Sequence, residues 1–181
     1  MVFYPKSPRY VSTALAREIC RALPPFVTVT ALFLDADSGF VESVLRETPV
    51  DLLQFHGDEC AADCGGFGRP YIKVIGMEAN TRIEAYAECY PDAAGFLLDA
   101  HAQGAAGGTG RTFDWSRVPA DLGKPVILAG GLHPGNVAAA IAQARPWGVD
   151  LSSGVEASPG VKDHAKIEAL MSEVKRVDCE R

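Results

Sequence analysis

The sequence is poor in basic residues, in cysteine and in long apolar runs. Its 17 lysines and arginines are outnumbered by 23 aspartates and glutamates, and no basic block offsets the net charge of -6. This balance argues against a nucleic-acid or anionic-membrane partner. No apolar run approaches the roughly 20 residues needed to span a bilayer. The first residues also lack the apolar segment of a signal peptide.

Cysteine is too scarce to suggest a disulfide framework. The five cysteines are odd in number and widely spread, which favours reduced thiols in a cytosol, and we therefore expect a cytoplasmic protein. His56, Cys60 and Cys64 are close enough in sequence to suggest zinc. No fourth ligand appears nearby and Gly57 interrupts the run, so we expect no metal.

Short apolar runs alternate with amphipathic stretches along the whole chain, without a linker. This alternation predicts one α/β domain, residues 1–181, with a parallel sheet and crossover helices. The predicted strands are residues 27–34, 50–55, 71–75, 95–99, 125–129 and 149–152, with a possible stub at residues 2–4.

Four helix starts are indicated by capping residues. Ser12 precedes one apolar helical pattern, and Asp37 or Ser38 precedes the next. Thr81 with Glu84 resembles a capping box. Pro134 suits the first turn of a later helix.

Glycine turns follow the last two predicted strands. Gly130 and Gly131 end one strand, and Ser153 and Gly154 end the next. Glycine lets the backbone approach a ligand closely, so that several N–H groups can point at one anion. Two such turns on successive strands predict a split phosphate site, as expected after the last strands of a (β/α)8 barrel. We expect a sugar phosphate as the ligand.

Three polar side chains stand near predicted strand ends. Asp99 closes a strand and would lie at the catalytic face of a barrel, although a solvated aspartate is equally compatible with that position. His56 also ends a strand, as either a substrate contact or a plain polar contact. Arg9 has a planar fork that suits a carboxylate, with a surface arginine as the alternative. The glycine-rich residues 101–115 lack P-loop spacing, and we predict an active-site lid there.

Several segments together resemble phosphoribosylanthranilate isomerase. They include Leu-Leu-Gln-Phe-His-Gly-Asp-Glu, Gly-Gly-Thr-Gly-Arg-Thr-Phe-Asp-Trp, Ile-Leu-Ala-Gly-Gly-Leu-His-Pro and Asp-Leu-Ser-Ser-Gly-Val-Glu. The resemblance implies a single-domain (β/α)8 TIM barrel that needs no cofactor. It also implies an Amadori rearrangement of the small-molecule substrate N-(5'-phosphoribosyl)anthranilate in tryptophan biosynthesis. In that reaction a general acid opens the furanose ring and a general base removes the C2' proton.

The resemblance also assigns roles to individual residues. Asp99 corresponds to the family's general acid. Substrate contacts are implied for Arg9, His56 and Asp150. Phosphate contacts are implied for Gly130, Gly131, Ser153 and Gly154.

One departure from the family pattern concerns the general base. The family carries this cysteine in an N-terminal Lys-Ile-Cys-Gly-Ile-Thr strand, and no such segment occurs in this sequence. Met1 itself falls inside a predicted strand, which suggests an internal methionine. We therefore expect a barrel of six to seven strands without its first βα unit, weakly active or inactive. Its exposed edges would favour self-association.

Other functions remain open at this point. The chain could be a non-catalytic phosphate-binding remnant, or a fragment completed by another chain. A different sugar-phosphate barrel, such as a pentose-phosphate epimerase, is a further alternative.

Overall fold

Six parallel strands form the central sheet, in the same order as in the chain. The computed structural model describes residues 1–100 and 112–179. The strands of this sheet are β1 (Thr30–Phe33), β2 (Leu52–Phe55), β3 (Tyr71–Gly76), β4 (Gly95–Asp99), β5 (Val126–Leu128) and β6 (Gly148–Val149). Because all six run the same way, their carboxyl ends lie along one edge.

Crossover segments connect these strands. The helices are α1 (Thr13–Ala22), α2 (Ser38–Glu47), α3 (Ala61–Cys64), α4 (Ile83–Glu88), α5 (Val137–Ala144) and α6 (His164–Cys179), with 3-10 turns at Trp115–Arg117 and Ser153–Val155. No helix in the described part of the chain is long and apolar enough to cross a membrane.

The capping predictions hold for α1 and α2 and fail for α4 and α5. Ser12 accepts a hydrogen bond from the Leu15 amide, and Asp37 accepts one from the Phe40 amide. Thr81 instead bonds inside the preceding turn, accepting from Glu78 N and donating to Gly76 O, so it caps no helix. The helix α5 begins at Val137, after a turn that contains Pro134.

The sequence places the strands correctly but misjudges some of their ends. The strand predicted at residues 27–34 shortens to β1, because Phe26 has φ 68° and Val27 is 45% exposed, outside the ladder. The strand predicted at 149–152 is β6, which begins earlier and ends at Val149. The stub is confirmed as a parallel bridge between Val2 and Leu32.

A short antiparallel hairpin, which the sequence patterns did not predict, follows the sheet. Its strands are β7 (Glu156–Ser158) and β8 (Val161–Lys162). Gly160 turns the chain between them with φ 83°, a conformation that favours glycine.

Two apolar layers flank the central sheet. The larger one lies between the strands and the helices, where the rings of Phe33 and Phe55 lie 6.1 Å apart and Val41 and Val44 pack from α2. A smaller layer fills the concave side, with Val74 and Leu97 at its centre. Side chains alternate between these two layers along each strand, so alternate residues face the inside of the sheet.

Apolar surface is exposed near one end of the sheet, on the helix α1. The stub at Val2 lies beyond β1, and β6 ends the opposite side of the described sheet. On α1, Leu15, Ile19 and Leu23 are 44%, 36% and 36% exposed, although they form the apolar face predicted for this helix.

Candidate active site

A single cavity at the carboxyl edge of the sheet gathers every predicted site residue. The predicted residues in its lining come from three strand ends, from the segment after the stub and from both glycine turns. They are His56, Asp99, Asp150, Arg9, Gly130, Gly131, Ser153 and Gly154. The edge position follows from the parallel sheet, since each strand delivers its last residues to the same end.

Asp99 and His56 face each other inside the cavity. Their closest atoms, Asp99 Oδ2 and His56 Nε2, lie 3.4 Å apart, and the two side chains are only 10% and 14% exposed. The other ring nitrogen, His56 Nδ1, is buried and has no hydrogen-bond partner within the described residues. The imidazole is therefore oriented by Asp99 and by its own backbone.

Gly130 permits the close approach of the next strand end to Asp99. It has φ 81°, and a Cβ at this position would lie 2.4 Å from Ala100 N and 2.9 Å from Asp99 Oδ1. Any side chain would therefore displace the carboxyl group. The glycine requirement seen in the sequence has a steric cause here as well as a conformational one.

The two glycine turns touch each other across the cavity. A Cβ on Gly154 would lie 1.8 Å from Leu132 O, so the second turn packs directly against the first. The first turn is braced by Asn136, which donates from Nδ2 to Gly131 O at 3.0 Å and accepts from His133 N at 2.8 Å. The structure thus brings together the two halves of the predicted anion site.

Asp150 supplies a second carboxylate in the cavity. Its pKa is raised, first by the surrounding protein atoms and then by the nearby Asp99, although the residue keeps contact with solvent. Interactions with His56, the terminal ammonium group and Lys162 oppose this shift.

Arg9 is held by a partner that sequence patterns did not identify. Its Nε and one terminal nitrogen donate to the two carboxylate oxygens of Glu156, both at 2.7 Å. These bonds raise the pKa of Arg9 and hold the pKa of Glu156 at about 2. Lys162 adds a contact of 3.1 Å to Glu156 and donates to Ser152 O at 2.8 Å. Glu156 follows directly from the Gly154 turn, in a segment the resemblance had already marked.

The predicted lid lies mostly outside the described residues, at 101–111. None of the five cysteines lines the cavity; the burial of Cys64 raises the pKa of its thiol to about 12, and Cys60 donates to Asp63 on the surface.

The fold and the cavity together define a TIM-barrel-like α/β protein with an acidic site at the carboxyl edge. Comparison with known sequences specifies the family. The sequence model of N-(5'-phosphoribosyl)anthranilate (PRA) isomerase matches residues 1–173. The chain is 55% identical over 174 residues to N-(5'-phosphoribosyl)anthranilate isomerase of Pseudomonas fluorescens strain Pf0-1, covering 96% of this chain and 85% of the relative.

Solved structures show the same relationship. Phosphoribosyl anthranilate isomerase of Thermotoga maritima superposes with a TM-score of 0.87 at 37% identity, over 97% of this chain and 86% of that one. The Thermus thermophilus enzyme gives a TM-score of 0.86 at 34% identity, over 98% and 86%.

The chain belongs to the phosphoribosylanthranilate isomerase family, enzymes of tryptophan biosynthesis. The family predicted by resemblance is therefore confirmed. Because the matches extend over most of the relatives' length, they give no support to the prediction of weak activity.

Proposed function

We propose that this chain catalyses the Amadori rearrangement of N-(5'-phosphoribosyl)anthranilate, with Asp99 as the general acid. The observation that carries the proposal is the convergence of all eight predicted residues on one cavity. Convergence is informative because these residues come from five separate stretches of the chain, and only the fold brings them together.

The geometry around Asp99 supports the proposed acid step. A protonated Asp99 gives its proton to the furanose ring oxygen, the bond from that oxygen to C1' breaks, and the ring opens to a Schiff base. His56 Nε2, 3.4 Å from Asp99 Oδ2, is near enough for its N–H to stabilise the resulting carboxylate. A base then takes the C2' proton, and the enolamine tautomerises to the ketone.

Two other parts of the cavity suit the ends of the substrate. The glycine turns would bind the 5'-phosphate through backbone N–H groups. Arg9 uses one edge of its guanidinium for Glu156, and its remaining terminal nitrogen makes no hydrogen bond to the described residues, so it suits the anthranilate carboxylate. A related solved structure, 37% identical, holds reduced 1-(o-carboxyphenylamino)-1-deoxyribulose 5-phosphate, whose two anionic groups match these two ends.

We also propose that this chain turns over slowly, since its strands fall short of a closed barrel. A barrel of this class has eight strands, whereas the described parallel sheet has six and a bridging stub. The cavity lining among the described residues includes no cysteine to act as base. Loss of one acid–base group typically lowers the rate by about 10²–10⁴-fold.

The test is fluorescence-monitored loss of phosphoribosylanthranilate by this chain and by its Asp99→Asn variant. Turnover that disappears in the variant supports the proposed acid. Equal rates in both proteins would overturn that assignment. Turnover at the rate of a full-length relative would overturn only the expectation of slow turnover.

A second candidate is a phosphate-binding protein without turnover, or a fragment completed by another chain. The absence of a cysteine from the described cavity lining favours it. Calorimetric titration with the product analogue separates the candidates, because binding without turnover supports the second. Adding a peptide with the Lys-Ile-Cys-Gly-Ile-Thr segment in trans then distinguishes its two forms, since only a fragment regains turnover.

We also propose self-association through the exposed sheet ends. Leu15, Ile19 and Leu23 expose an apolar face beside the stub, and burial of such a face is favourable. Sedimentation of the chain and of its Ile19→Lys variant tests this, with a smaller species expected for the variant. Two monomeric samples would contradict it.

A further inference from the structure

A buried lysine lies behind the site, in the layer between the sheet and the helices. Lys73 on β3 is 0% exposed and stands in register between Phe55 on β2 and Phe96 on β4, both of them apolar core residues. A buried ammonium group is costly unless it is paired and hydrogen-bonded.

The ammonium group of Lys73 bonds the backbone on both sides of His56. It donates to Gly57 O at 2.5 Å and, at a longer 3.4 Å, to Phe55 O. Side chains alternate at the end of β2, so the ring of His56 enters the cavity while the flanking carbonyls meet Lys73 on the opposite side. Lys73 thus bonds the peptide group before His56 and the peptide group after Gly57, so its contacts lie on both sides of the histidine.

Glu59 pairs with Lys73 and also accepts a hydrogen bond from the loop after β1. Its Oε2 lies 3.0 Å from Lys73 Nζ, and its carboxylate accepts from Gly57 N at 3.0 Å and from Asp35 N at 2.8 Å. Tyr90 donates to Glu59 O at 2.9 Å from the helix side. The loops after β1 and β2 are therefore tied to one buried charge pair.

A buried ion pair is weak evidence for stability, because apolar residues of similar size often serve as well. This pair restrains the backbone next to the site, because three of its hydrogen bonds end on backbone atoms within two residues of His56. The ring has no partner at Nδ1 among the described residues to hold it otherwise.

We propose that Lys73, held by Glu59, is a positioning residue that keeps His56 against Asp99. The catalytic part of this inference rests on the proposed function. The geometric part does not, because the contact between His56 and Asp99 exists in the protein without substrate.

The geometric test uses the ring nitrogen resonances of His56 in 15N-labelled protein. Asp99→Asn is expected to shift these resonances in the parent chain. In the double variant Lys73→Met/Glu59→Gln, which removes both buried charges together, the same substitution is expected to produce about half that shift or less, because the two groups no longer couple. The matched control is Arg46→Gln/Glu42→Gln, an exposed pair on α2, where the full shift is expected.

The catalytic test compares steady-state rates in the same proteins. A displaced His56 predicts a kcat about 10- to 100-fold lower in the double variant, with KM nearly unchanged because the glycine turns are untouched. Tyr90→Phe removes only the hydrogen bond to Glu59 O and is the second variant should the double variant fold poorly. We expect it to lower both the Asp99-dependent resonance shift of His56 and kcat, each by less than in the double variant.

Two results would overturn the proposal. One is an Asp99-dependent shift of His56 that is the same in the double variant, or in Tyr90→Phe where only that protein folds, as in the parent. The other is a folded double variant with parental kcat. If the parent itself lacks turnover, the proposed function fails, and the resonance measurement still decides the positioning role.

Discussion

Two glutamates organise the two sides of this site in different ways. Glu59 and Glu156 have the same side-chain exposure, 4%, and each binds a cation near the cavity. Their cations differ. Lys73 is fully buried, whereas Arg9 and Lys162 are 19% and 42% exposed.

Glu59 and Lys73 hold backbone groups at a buried position, whereas Glu156 holds two side chains that reach solvent. The charged partner of Glu59, Lys73, is fully enclosed, so removing one charge leaves the other unpaired in the core. Around Glu156 the cations reach water and can be rehydrated. A buried glutamate therefore indicates rigidity only when its partner is also buried.

The largest expected effect is on turnover, from substitution of Asp99, the proposed general acid. Asp99→Asn keeps the shape of the side chain but removes the proton donor, and we expect turnover to fall by about 10²–10⁴-fold. Initial rates followed by substrate fluorescence measure this. The variant should still bind the product analogue, which shows that the cavity is intact. A variant with parental rate would remove Asp99 from the acid step.

The comparison of the two glutamates is tested most directly by their alanine variants. Glu59→Ala leaves the Lys73 charge buried and unpaired, so we expect a loss of about 3–5 kcal/mol in the free energy of unfolding. Glu156→Ala leaves partly exposed cations, and we expect a loss nearer to about 1 kcal/mol. Urea denaturation at neutral pH measures both. Similar losses in the two variants would break the distinction.

A smaller effect is expected where the glycine turns meet. Gly154→Ala places a methyl group against Leu132 O, where a Cβ would be only 1.8 Å away, so the turns must separate. We expect destabilisation of about 1–3 kcal/mol and weaker binding of inorganic phosphate. Calorimetry with phosphate checks the binding. Gly148→Ala, which meets no atom within 4 Å, is the matched control.

The smallest effect is a pH dependence confined to Glu156. Its pKa falls from 4.5 to about 2 on folding, chiefly through the hydrogen bond from Arg9. Because the folded pKa is the lower one, this contribution to stability is present above about pH 4.5 and is lost as the pH falls toward 2.

The Glu156→Gln variant isolates this contribution. At neutral pH it should be less stable by about 1 kcal/mol or less, and the difference from the parent should shrink as the pH is lowered toward 3. Urea denaturation across this range provides the measurement. A difference that stays constant with pH would show that Arg9 does not depress the pKa of Glu156.

Much of the fold could be read from the sequence because its signals are local. All six strands of the sheet follow from short apolar runs, and β4 has the predicted bounds. The ends of β1 were misjudged because Val27 continues the apolar run but lies outside the ladder, and periodicity does not register hydrogen bonding. The hairpin of β7 and β8 was missed because its strands are only three and two residues long.

The site divides in the same way. The sequence alone determined the family and eight of the residues that line the cavity, the glycine turns among them, because motif segments and strand ends are contiguous stretches. The tertiary structure alone decided that Arg9 binds Glu156 across 147 residues of sequence and that Lys73 supports the backbone of His56 from the far side of the sheet. Such contacts depend on strand register and on which face a side chain takes, and these are set only when the sheet assembles.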